Sequence, residues 1–307
     1  MTKRLFALMI LMASAFLMVS CKPEAKAEIP ISMMVPFGSP SLSVVHLMDH
    51  DDYLIDVVQG PDPLVSAFGS LSHDAIIAPT NLGSRMYQSK PDYLLLAVIV
   101  WGNTFLVTEN PSIQSFDDLS GQDVVIFGRN QTADIVFQFL LEKAGLSVIP
   151  HYVENVTVAT EMFLTNPQKI VMVAEPSLSR IKLMHPQVTV IDLQERYEME
   201  QQTSSYPQAG LFVKSTMTEA TKKRLIDDLK KAIELTNLDP DLTADRAIHH
   251  GMNLPKAVLV SAIFNSNLSF RTAKESQSLI EDYFKLLLAK NPQLIGGALP
   301  DDAFYGG

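Results

Sequence analysis

The chain has 307 residues, of which 24 are lysine or arginine and 34 are aspartate or glutamate, giving a formal net charge of −10. It contains no cluster of basic residues interleaved with aromatic ones, which argues against a nucleic-acid partner. Cys21 is the only cysteine, so an intramolecular disulfide is excluded.

The N-terminus has the pattern of a secretory signal. Lys3 and Arg4 precede an apolar run over residues 5–19, which is shorter than the roughly 20 residues that a membrane-spanning helix needs. A basic start, an apolar stretch and small residues at the break are typical of a cleaved signal peptide. We therefore expect residues 1–20 to be removed and the protein to be exported.

Cys21 follows this run directly and predicts a lipid anchor. The preceding residues Met18, Val19 and Ser20 resemble a bacterial lipobox, in which the cysteine is lipidated and becomes the mature N-terminus. The alternative is an ordinary cleavage site that leaves a free thiol. Residues 21–28 are mostly polar and predict a flexible tether between the anchor and the folded chain.

Four apolar segments in the first third of the chain predict strands. They cover residues 29–35, 53–58, 75–78 and 93–100. Turn-forming or helix-capping residues end each segment, and helices are predicted after the first three, over residues 42–48, 63–69 and 81–88. This alternation with short turns predicts an α/β fold with a doubly wound, mostly parallel sheet.

A second unit of the same kind follows. Its strands are predicted over residues 124–127, 148–153, 170–174 and 188–193, and its helices over residues 133–144, 156–165 and 178–184. The unit lies between two crossover segments, residues 103–108 and 206–214. Four helices then complete the first unit, over residues 219–238, 242–250, 255–264 and 274–290.

The sequence therefore predicts two lobes joined by two crossover segments, which form a hinge. The predicted boundaries are 1–20 for the signal peptide, 21–28 for the lipidated cysteine and tether, 29–104 for the first part of lobe I, 105–208 for lobe II, and 209–307 for the second part of lobe I.

The stretch over residues 74–83 predicts both a core strand and a site. Residues 75–78 are apolar, which suits a strand buried on both faces, and Pro79 ends it. Thr80 and Asn81 then lie beyond the carboxyl end of a strand, where open parallel sheets bind small ligands. The alternative is that Thr80 or Asn81 only caps the following helix.

Several segments, taken in order, resemble a known family. They are residues 74–83 (Asp-Ala-Ile-Ile-Ala-Pro-Thr-Asn-Leu-Gly), 97–103 (Ala-Val-Ile-Val-Trp-Gly-Asn), 116–121 (Phe-Asp-Asp-Leu-Ser-Gly), 128–132 (Gly-Arg-Asn-Gln-Thr), 174–176 (Ala-Glu-Pro), 206–210 (Tyr-Pro-Gln-Ala-Gly) and 301–305 (Asp-Asp-Ala-Phe-Tyr). The set resembles the solute-binding lipoproteins of ABC transporters in the NitT/TauT (SsuA, THI5/NMT1-like) group.

The resemblance implies a type II periplasmic-binding-protein fold. Such a protein is a two-lobed clamp that closes on a small organic ligand and delivers it to a membrane permease with its ATPase. The resemblance does not identify the ligand, because the group spans nitrate, sulfonates, taurine, thiamine precursors and other heterocycles.

In such a clamp the ligand lies between the lobes, next to loops at the carboxyl ends of strands. The candidate ligand-binding residues in these loops are Ser39, Ser41, Gln59, Thr80, Asn81, Trp101, Asn103, Arg129, Gln131, Thr132, Glu175 and Tyr206. Hydroxyl and amide groups supply neutral donors and acceptors, and helix N-termini favour anions.

Several of these candidates have a purely structural alternative. Ser39 and Ser41 are equally suited to cap a helix, and Trp101 to fill the core under the hinge. Arg129 could bind an anion, point to solvent or pair with Asp134. Glu175 could instead cap the helix predicted after it. Tyr206 could have a structural role in the hinge and not contact the ligand.

The expected function is solute capture by a monomer at the membrane surface, without catalysis, cofactor or metal. Trp101, Asn81, Asn103 and Glu175 together suit a neutral or nitrogen-containing heterocycle, such as a thiamine precursor, better than a lone anion. The alternatives are a sulfonate, taurine or nitrate binder, an enzyme on the same fold such as a THI5-like pyrimidine synthase, and a sensor lipoprotein that presents its closed form to a membrane receptor. The sequence contains no Walker loop, and the neighbouring pair His249 and His250 diverge on a predicted helix and do not make a natural chelate.

Overall fold

The structure is a computed structural model that describes residues 29–306. The predicted signal peptide, the lipidation site at Cys21 and the tether therefore lie outside the described residues. The strands are β1 (Ile31–Pro36), β2 (Tyr53–Val58), β3 (Ala75–Pro79), β4 (Tyr93–Trp101), β5 (Phe105–Thr108), β6 (Asp123–Phe127), β7 (Ile149–Val153), β8 (Ile170–Val173), β9 (Thr189–Asp192), β10 (Pro207–Lys214) and β11 (Leu268–Thr272).

Helices alternate with these strands over most of the chain. They are α1 (Ser39–Leu42), α2 (Asp62–Ser70), α3 (Thr80–Ser89), α4 (Thr132–Ala144), α5 (Val156–Thr165), α6 (Ser177–Met184), α7 (Leu193–Gln201), α8 (Glu219–Leu238), α9 (Pro240–His249), α10 (Lys256–Asn265) and α11 (Gln277–Lys290). Short 3₁₀ turns cover Val45–Leu47, Phe116–Leu119, Pro292–Leu294 and Asp302–Tyr305.

The strands form two separate sheets. Their strand orders correspond when the first sheet is read from β2 and the second from β7, with β11 as an additional edge strand of the first sheet. The first sheet has the order β11-β4-β10-β3-β1-β2, and the second has the order β7-β6-β8-β5-β9. In the first sheet β10 runs antiparallel to both β3 and β4, and in the second β5 runs antiparallel to both β8 and β9. The two-lobed α/β architecture predicted from the sequence is therefore confirmed.

The inserted strands β5 and β10 explain how the lobes are connected. Each is the first strand that the chain forms after it crosses from one lobe to the other. The predicted crossover segments, residues 103–108 and 206–214, include these strands and are therefore longer than the links that the structure shows. Their runs of apolar residues are buried and hydrogen-bonded on both sides, so only residues 102–104 and 202–206 cross between the lobes.

The core strand β3 is buried on both faces, as predicted. Ile76 and Ala78 pack in one hydrophobic cluster, while Ala75 and Ile77 pack in a second cluster on the other face of the sheet. The sequence did not predict α7 or β11. Helix α7 has only three buried residues, and β11 mixes polar and apolar residues without alternation, so neither has the periodicity that sequence analysis detects.

The first helix also differs from its prediction over residues 42–48. Helix α1 begins at Ser39 and ends at Leu42, and a 3₁₀ turn over Val45–Leu47 follows. The N-cap position is held by Gly38, whose φ of 114° is one that other residues rarely adopt. The early start places Ser39 in the first turn of the helix, directly at the carboxyl end of β1.

Close packing of α3 on β10 fixes the position of the Thr80–Asn81 turn. A β-carbon added to Gly83 would lie 2.0 Å from the ring of the buried Phe212, whereas one added to Gly69 in α2 would meet open space. We expect Gly83→Ala to lower the free energy of unfolding by about 1–3 kcal/mol, because the ring cannot move without disturbing the core.

The matched control is Gly69→Ala, which should leave stability unchanged or raise it by up to about 1 kcal/mol. Urea denaturation of both variants measures the difference. Equal stabilities of the two variants would contradict this account of the α3–β10 contact.

Candidate functional site

Three residues predicted from the sequence meet where the two lobes touch. Ser39 follows β1, Asn103 follows β4, and Glu175 follows β8, so each lies beyond the carboxyl end of a strand. Asn103 Nδ2 donates to Ser39 Oγ at 2.8 Å, and Asn103 Oδ1 accepts from the backbone N–H of Glu175 at 2.8 Å. Asn103 therefore links a lobe I side chain to the lobe II backbone.

The Glu175 carboxylate is held by neutral donors. Its Oε1 accepts from Asn265 Nδ2 at 2.7 Å and from Ser179 Oγ at 2.9 Å, and its Oε2 accepts from the Ser179 N–H at 3.1 Å. Ser179 belongs to α6 of lobe II and Asn265 to α10 of lobe I. A single carboxylate thus joins helices of both lobes.

Further contacts complete the seam between the lobes. Ser179 Oγ lies 2.9 Å from Ser261 Oγ, and Ser39 Oγ lies 2.7 Å from Ser266 Oγ. A β-carbon added to Gly38 would lie 3.6 Å from the carbonyl oxygen of Glu175. We call these polar residues the lobe-contact cluster: Ser39, Asn103, Glu175, Ser179, Ser261, Asn265 and Ser266.

The electrostatics of the cluster centre on Glu175, which is 5% exposed. Burial raises the pKa of its carboxyl group, and the hydrogen bonds from Asn265 and Ser179 oppose that shift in part. Within residues 29–306 no lysine, arginine or histidine forms an ion pair with it, and Lys182 acts only through its more distant charge. A buried carboxylate without a cation favours a partner that is positively charged or rich in N–H groups.

Thr80 and Ser41 have structural partners. Thr80 Oγ1 donates to the carbonyl of Pro207 at 2.5 Å, and α3 has no side-chain cap, so the helix-cap alternative for Thr80 is wrong. Ser41 Oγ accepts from the Gly38 N–H at 3.2 Å, which is the capping role that the sequence analysis gave as its alternative.

Trp101 and Tyr206 line the hinge and are nearly buried. Trp101 Nε1 donates to the carbonyl of Ser269 at 2.9 Å, and the Arg271 guanidinium lies 4.3 Å from its ring centre. The Tyr206 hydroxyl lies 3.0 Å from Gln194 Oε1, and burial raises its pKa. Both side chains thus have partners within the protein.

The remaining candidates lie apart from the lobe-contact cluster. Asn81 Nδ2 donates to the carbonyl of Leu294 at 3.4 Å. Arg129 is exposed and stacks over the Tyr152 ring at 5.0 Å, and it does not form the alternative ion pair with Asp134. Gln131 is exposed, and its side chain packs next to Gly128.

Two other candidates face different surroundings. Thr132 is half-buried at the first residue of α4 and approaches Tyr283 of α11. Gln59 is exposed and lines a cavity of about 450 Å³ in lobe I, whose apolar wall includes Phe37, Met48 and Met252. For all of these residues, contact with a ligand stays a prediction.

Sequence reasoning missed four of the seven residues of the lobe-contact cluster. Ser179, Ser261, Asn265 and Ser266 lie on or just after helices, with no strand end to mark them. Their proximity to Glu175 arises because α10 of lobe I packs on α6 of lobe II. A polar stripe of Ser261 and Asn265, four residues apart on one helix face, was the available signal.

The described residues contain neither a helix long and apolar enough to cross a membrane nor a group of three or more histidine, cysteine, aspartate or glutamate side chains that could hold a metal ion. The His249 and His250 rings lie 5.2 Å apart, and His250 Nε2 lies 2.8 Å from Asp49 Oδ1.

Solved structures share this fold. A protein described as an ABC transporter from Parabacteroides distasonis is 19% identical, with a TM-score of 0.81 over 90% of this chain and 98% of that one. The aliphatic sulfonate-binding protein SsuA from Escherichia coli is 17% identical, with a TM-score of 0.65 over 89% and 92%. The alkanesulfonate-binding SsuA from Xanthomonas axonopodis pv. citri, bound to MOPS, is 18% identical, with a TM-score of 0.59 over 91% and 98%.

No family model matches the sequence, and no curated protein matches it. At these identities the similarity shows the fold: the chain has the two-lobed α/β architecture of periplasmic solute-binding proteins.

The buried carboxylate predicts a specific pH dependence of stability. Because burial raises the folded-state pKa of Glu175 above its ordinary value of 4.5, its favourable contribution is present below pH 4.5 and is lost as the pH rises through the raised value. The free energy of unfolding of the wild type, minus that of Glu175→Gln, should therefore fall as the pH rises from 4.5.

Glu275→Gln is the control. Bonds from Thr272 lower the Glu275 pKa, so its contribution is instead lost as the pH falls. Denaturant titrations at several pH values measure both differences. A Glu175 difference that stays flat or rises with pH would contradict burial of an ionisable carboxylate at the seam.

Proposed function

We propose that this protein is an extracytoplasmic solute-binding protein that captures a small organic molecule between its lobes and delivers it to an ABC importer, a permease with its ATPase. The two-lobed fold, the crossovers and the polar seam support this proposal. The solved proteins of the same fold include ABC transporter components and sulfonate-binding proteins. Catalysis is not part of the proposed function.

The observation that carries the proposal is the buried, cation-free carboxylate of Glu175. A ligand that enters between the lobes would meet it together with the amide and hydroxyl groups of Asn103, Asn265 and Ser39. A nitrogen heterocycle, such as a thiamine-precursor-like pyrimidine, supplies N–H groups that a carboxylate and amide oxygens accept.

The second candidate is a sulfonate, taurine or nitrate-type anion. The names of the SsuA proteins that share the fold favour it. The charge of Glu175 opposes it, because a second negative charge beside a buried carboxylate is destabilising. An enzyme on the same fold, such as a THI5-like pyrimidine synthase, has no observation in its favour among the described residues.

Binding requires the lobes to separate along the seam and close again. The hinge consists of residues 102–104 and 202–206, and its packing is tight at Gly102. This glycine has a φ of 75°, and an added β-carbon would lie 2.1 Å from Gln194 Cγ. In the proposed cycle the ligand takes over some of the hydrogen bonds that the lobe-contact cluster makes with itself.

Location and domain organisation complete the proposal. Residues 1–20 serve as the signal peptide, and Cys21 carries the lipid that anchors the monomer to the membrane, facing the periplasm or the cell exterior. Residues 29–104 and 209–307 form lobe I, and residues 105–208 form lobe II. The sheet boundaries at residues 101–105 and 192–207 support this division, except that Pro207 and Gln208 already belong to β10 of lobe I.

A ligand panel tests the proposed function. Residues 29–307 are titrated by calorimetry with cytosine, 4-amino-2-methylpyrimidine, ethanesulfonate, taurine and nitrate. We expect a pyrimidine to bind most tightly and Glu175→Gln to weaken it about tenfold or more, since a hydrogen bond to a charged group is lost. Glu275→Gln is the control and should bind like the wild type. Tightest binding of ethanesulfonate would support the anion alternative, and no binding by any member would contradict solute capture of this kind.

The lipid anchor has its own test. In cells of a bacterial host, the full chain should incorporate labelled palmitate and partition into detergent, and Cys21→Ala should abolish both. Retention of the label by Cys21→Ala would contradict lipidation at this residue.

A further inference from the structure

Buried polar atoms without partners lie in and around the return crossover, residues 202–206. Ser205 Oγ, Gln208 Oε1 and the Tyr283 hydroxyl are enclosed by protein and make no hydrogen bond. Ser205 is 6% exposed and Tyr283 is fully buried. Leaving such a group unpaired costs about 1–3 kcal/mol, so three of them in one region call for an explanation.

These groups are linked through Tyr206. The Tyr206 ring stacks on the Tyr283 ring with centres 5.7 Å apart and an interplanar angle of 20°. Ser205 is the neighbour of Tyr206 in the chain, and Gln208 follows two residues later, at most about 7 Å along an extended chain. The three unpartnered groups therefore belong to the Tyr206–Tyr283 pair or to near neighbours of Tyr206 in the chain.

Their position is the edge of the first sheet where ligands are expected. Pro207, the first residue of β10, pairs with Trp101, the last residue of β4, and its carbonyl accepts from Thr80. Gln208 is the extra residue of a β-bulge, because Pro207 pairs with Trp101 and Ala209 with the adjacent Val100. Bulges occur beside functional sites, where they re-aim a side chain.

The second lobe contributes Thr132 to the same place. Its hydroxyl approaches the Tyr283 hydroxyl from the start of α4, without meeting the geometry of a hydrogen bond. Thr132 belongs to lobe II and Tyr283 to α11 of lobe I. Residues of both lobes and of the crossover therefore meet at the Tyr206–Tyr283 pair, as residues of a ligand site in a two-lobed clamp do.

We propose that Gln208 and Tyr283, with Ser205 and Thr132 beside them, form a second ligand-binding wall that recognises an edge carrying a hydrogen-bond donor next to an acceptor. The Gln208 amide oxygen accepts the N–H, and the Tyr283 hydroxyl donates to the neighbouring carbonyl oxygen or ring nitrogen. Amides and amino- or oxopyrimidines present such an edge, whereas sulfonates and nitrate present acceptors only. This inference rests on the proposed function and narrows its ligand class.

Tyr305 provides a matched control. Its hydroxyl is also buried without a partner, but it lies in the C-terminal 3₁₀ turn, away from the crossover segment. Tyr283→Phe and Tyr305→Phe thus remove the same kind of atom from the same kind of surroundings. Neither change should lower the melting temperature of the unliganded protein, since no hydrogen bond is lost.

The probe is cytosine, titrated by calorimetry into residues 29–307. We expect Tyr283→Phe and Gln208→Leu each to weaken binding about three- to tenfold, and Tyr305→Phe to change it less than twofold. Wild-type affinity in both Tyr283→Phe and Gln208→Leu would overturn the inference. If Tyr283→Phe lowers the melting temperature of the unliganded protein, the affinity of Gln208→Leu for cytosine alone decides whether the inference stands.

The test separates this inference from the proposed function. Binding of ethanesulfonate without binding of cytosine would overturn the second wall and leave solute capture intact. The same conclusion would follow if cytosine binds and Glu175→Gln weakens that binding, while Tyr283→Phe and Gln208→Leu do not. Failure of the wild type to bind any member of the panel would overturn both.

Discussion

The structure depends on the burial of one carboxylate between two lobes. A carboxylate taken out of water is destabilising unless hydrogen bonds replace its hydration. For Glu175 those bonds come from Ser179 in its own lobe and from Asn265 in the other, while Asn103 holds its backbone N–H. Contact between the lobes and burial of the charge therefore depend on each other, and separation of the lobes returns the carboxylate to water.

This dependence links the fold to the proposed choice of ligand. The strand order of each sheet places the carboxyl ends of β1, β4 and β8 at a common seam, and Ser39, Asn103 and Glu175 follow these strands. The seam contains acceptors and neutral donors but no cation paired with Glu175. A positively charged or N–H-bearing solute would stabilise the closed arrangement, whereas an anion would add a repulsion that none of the three side chains can offset.

Much of the fold could be predicted because its elements have strong local patterns. The run Ala75–Pro79 is apolar throughout, so it could be assigned as a strand buried on both faces, and α8 (Glu219–Leu238) has a clear helical period. Helix α7 and strand β11 have no such pattern, because their form depends on packing against neighbours. The direction of β10 could not be predicted either, since an apolar segment reads the same whether it pairs as parallel or antiparallel.

The site could be predicted only for residues that follow the carboxyl end of a strand, where open parallel sheets bind ligands. That rule found Ser39, Asn103 and Glu175. It also selected Gln59 and Arg129, whose side chains are exposed and lie away from the lobe-contact cluster. Strand ends mark a whole edge of a sheet, and only tertiary packing decides which side chains converge. The partners on α10 and the unpartnered groups at the return crossover follow from that packing, and the spacing of Ser261 and Asn265 on one helix face is the local signal for the first of these.

The central claim is that a solute binds between the lobes against Glu175. A crystal structure of residues 29–307 grown with cytosine tests it most directly. The account predicts the base at the seam, with a ring or amino nitrogen within hydrogen-bond distance of the Glu175 carboxylate, which is about 2.7–3.2 Å. Cytosine bound elsewhere, with the bonds from Asn265 and Ser179 to Glu175 unchanged, would contradict it.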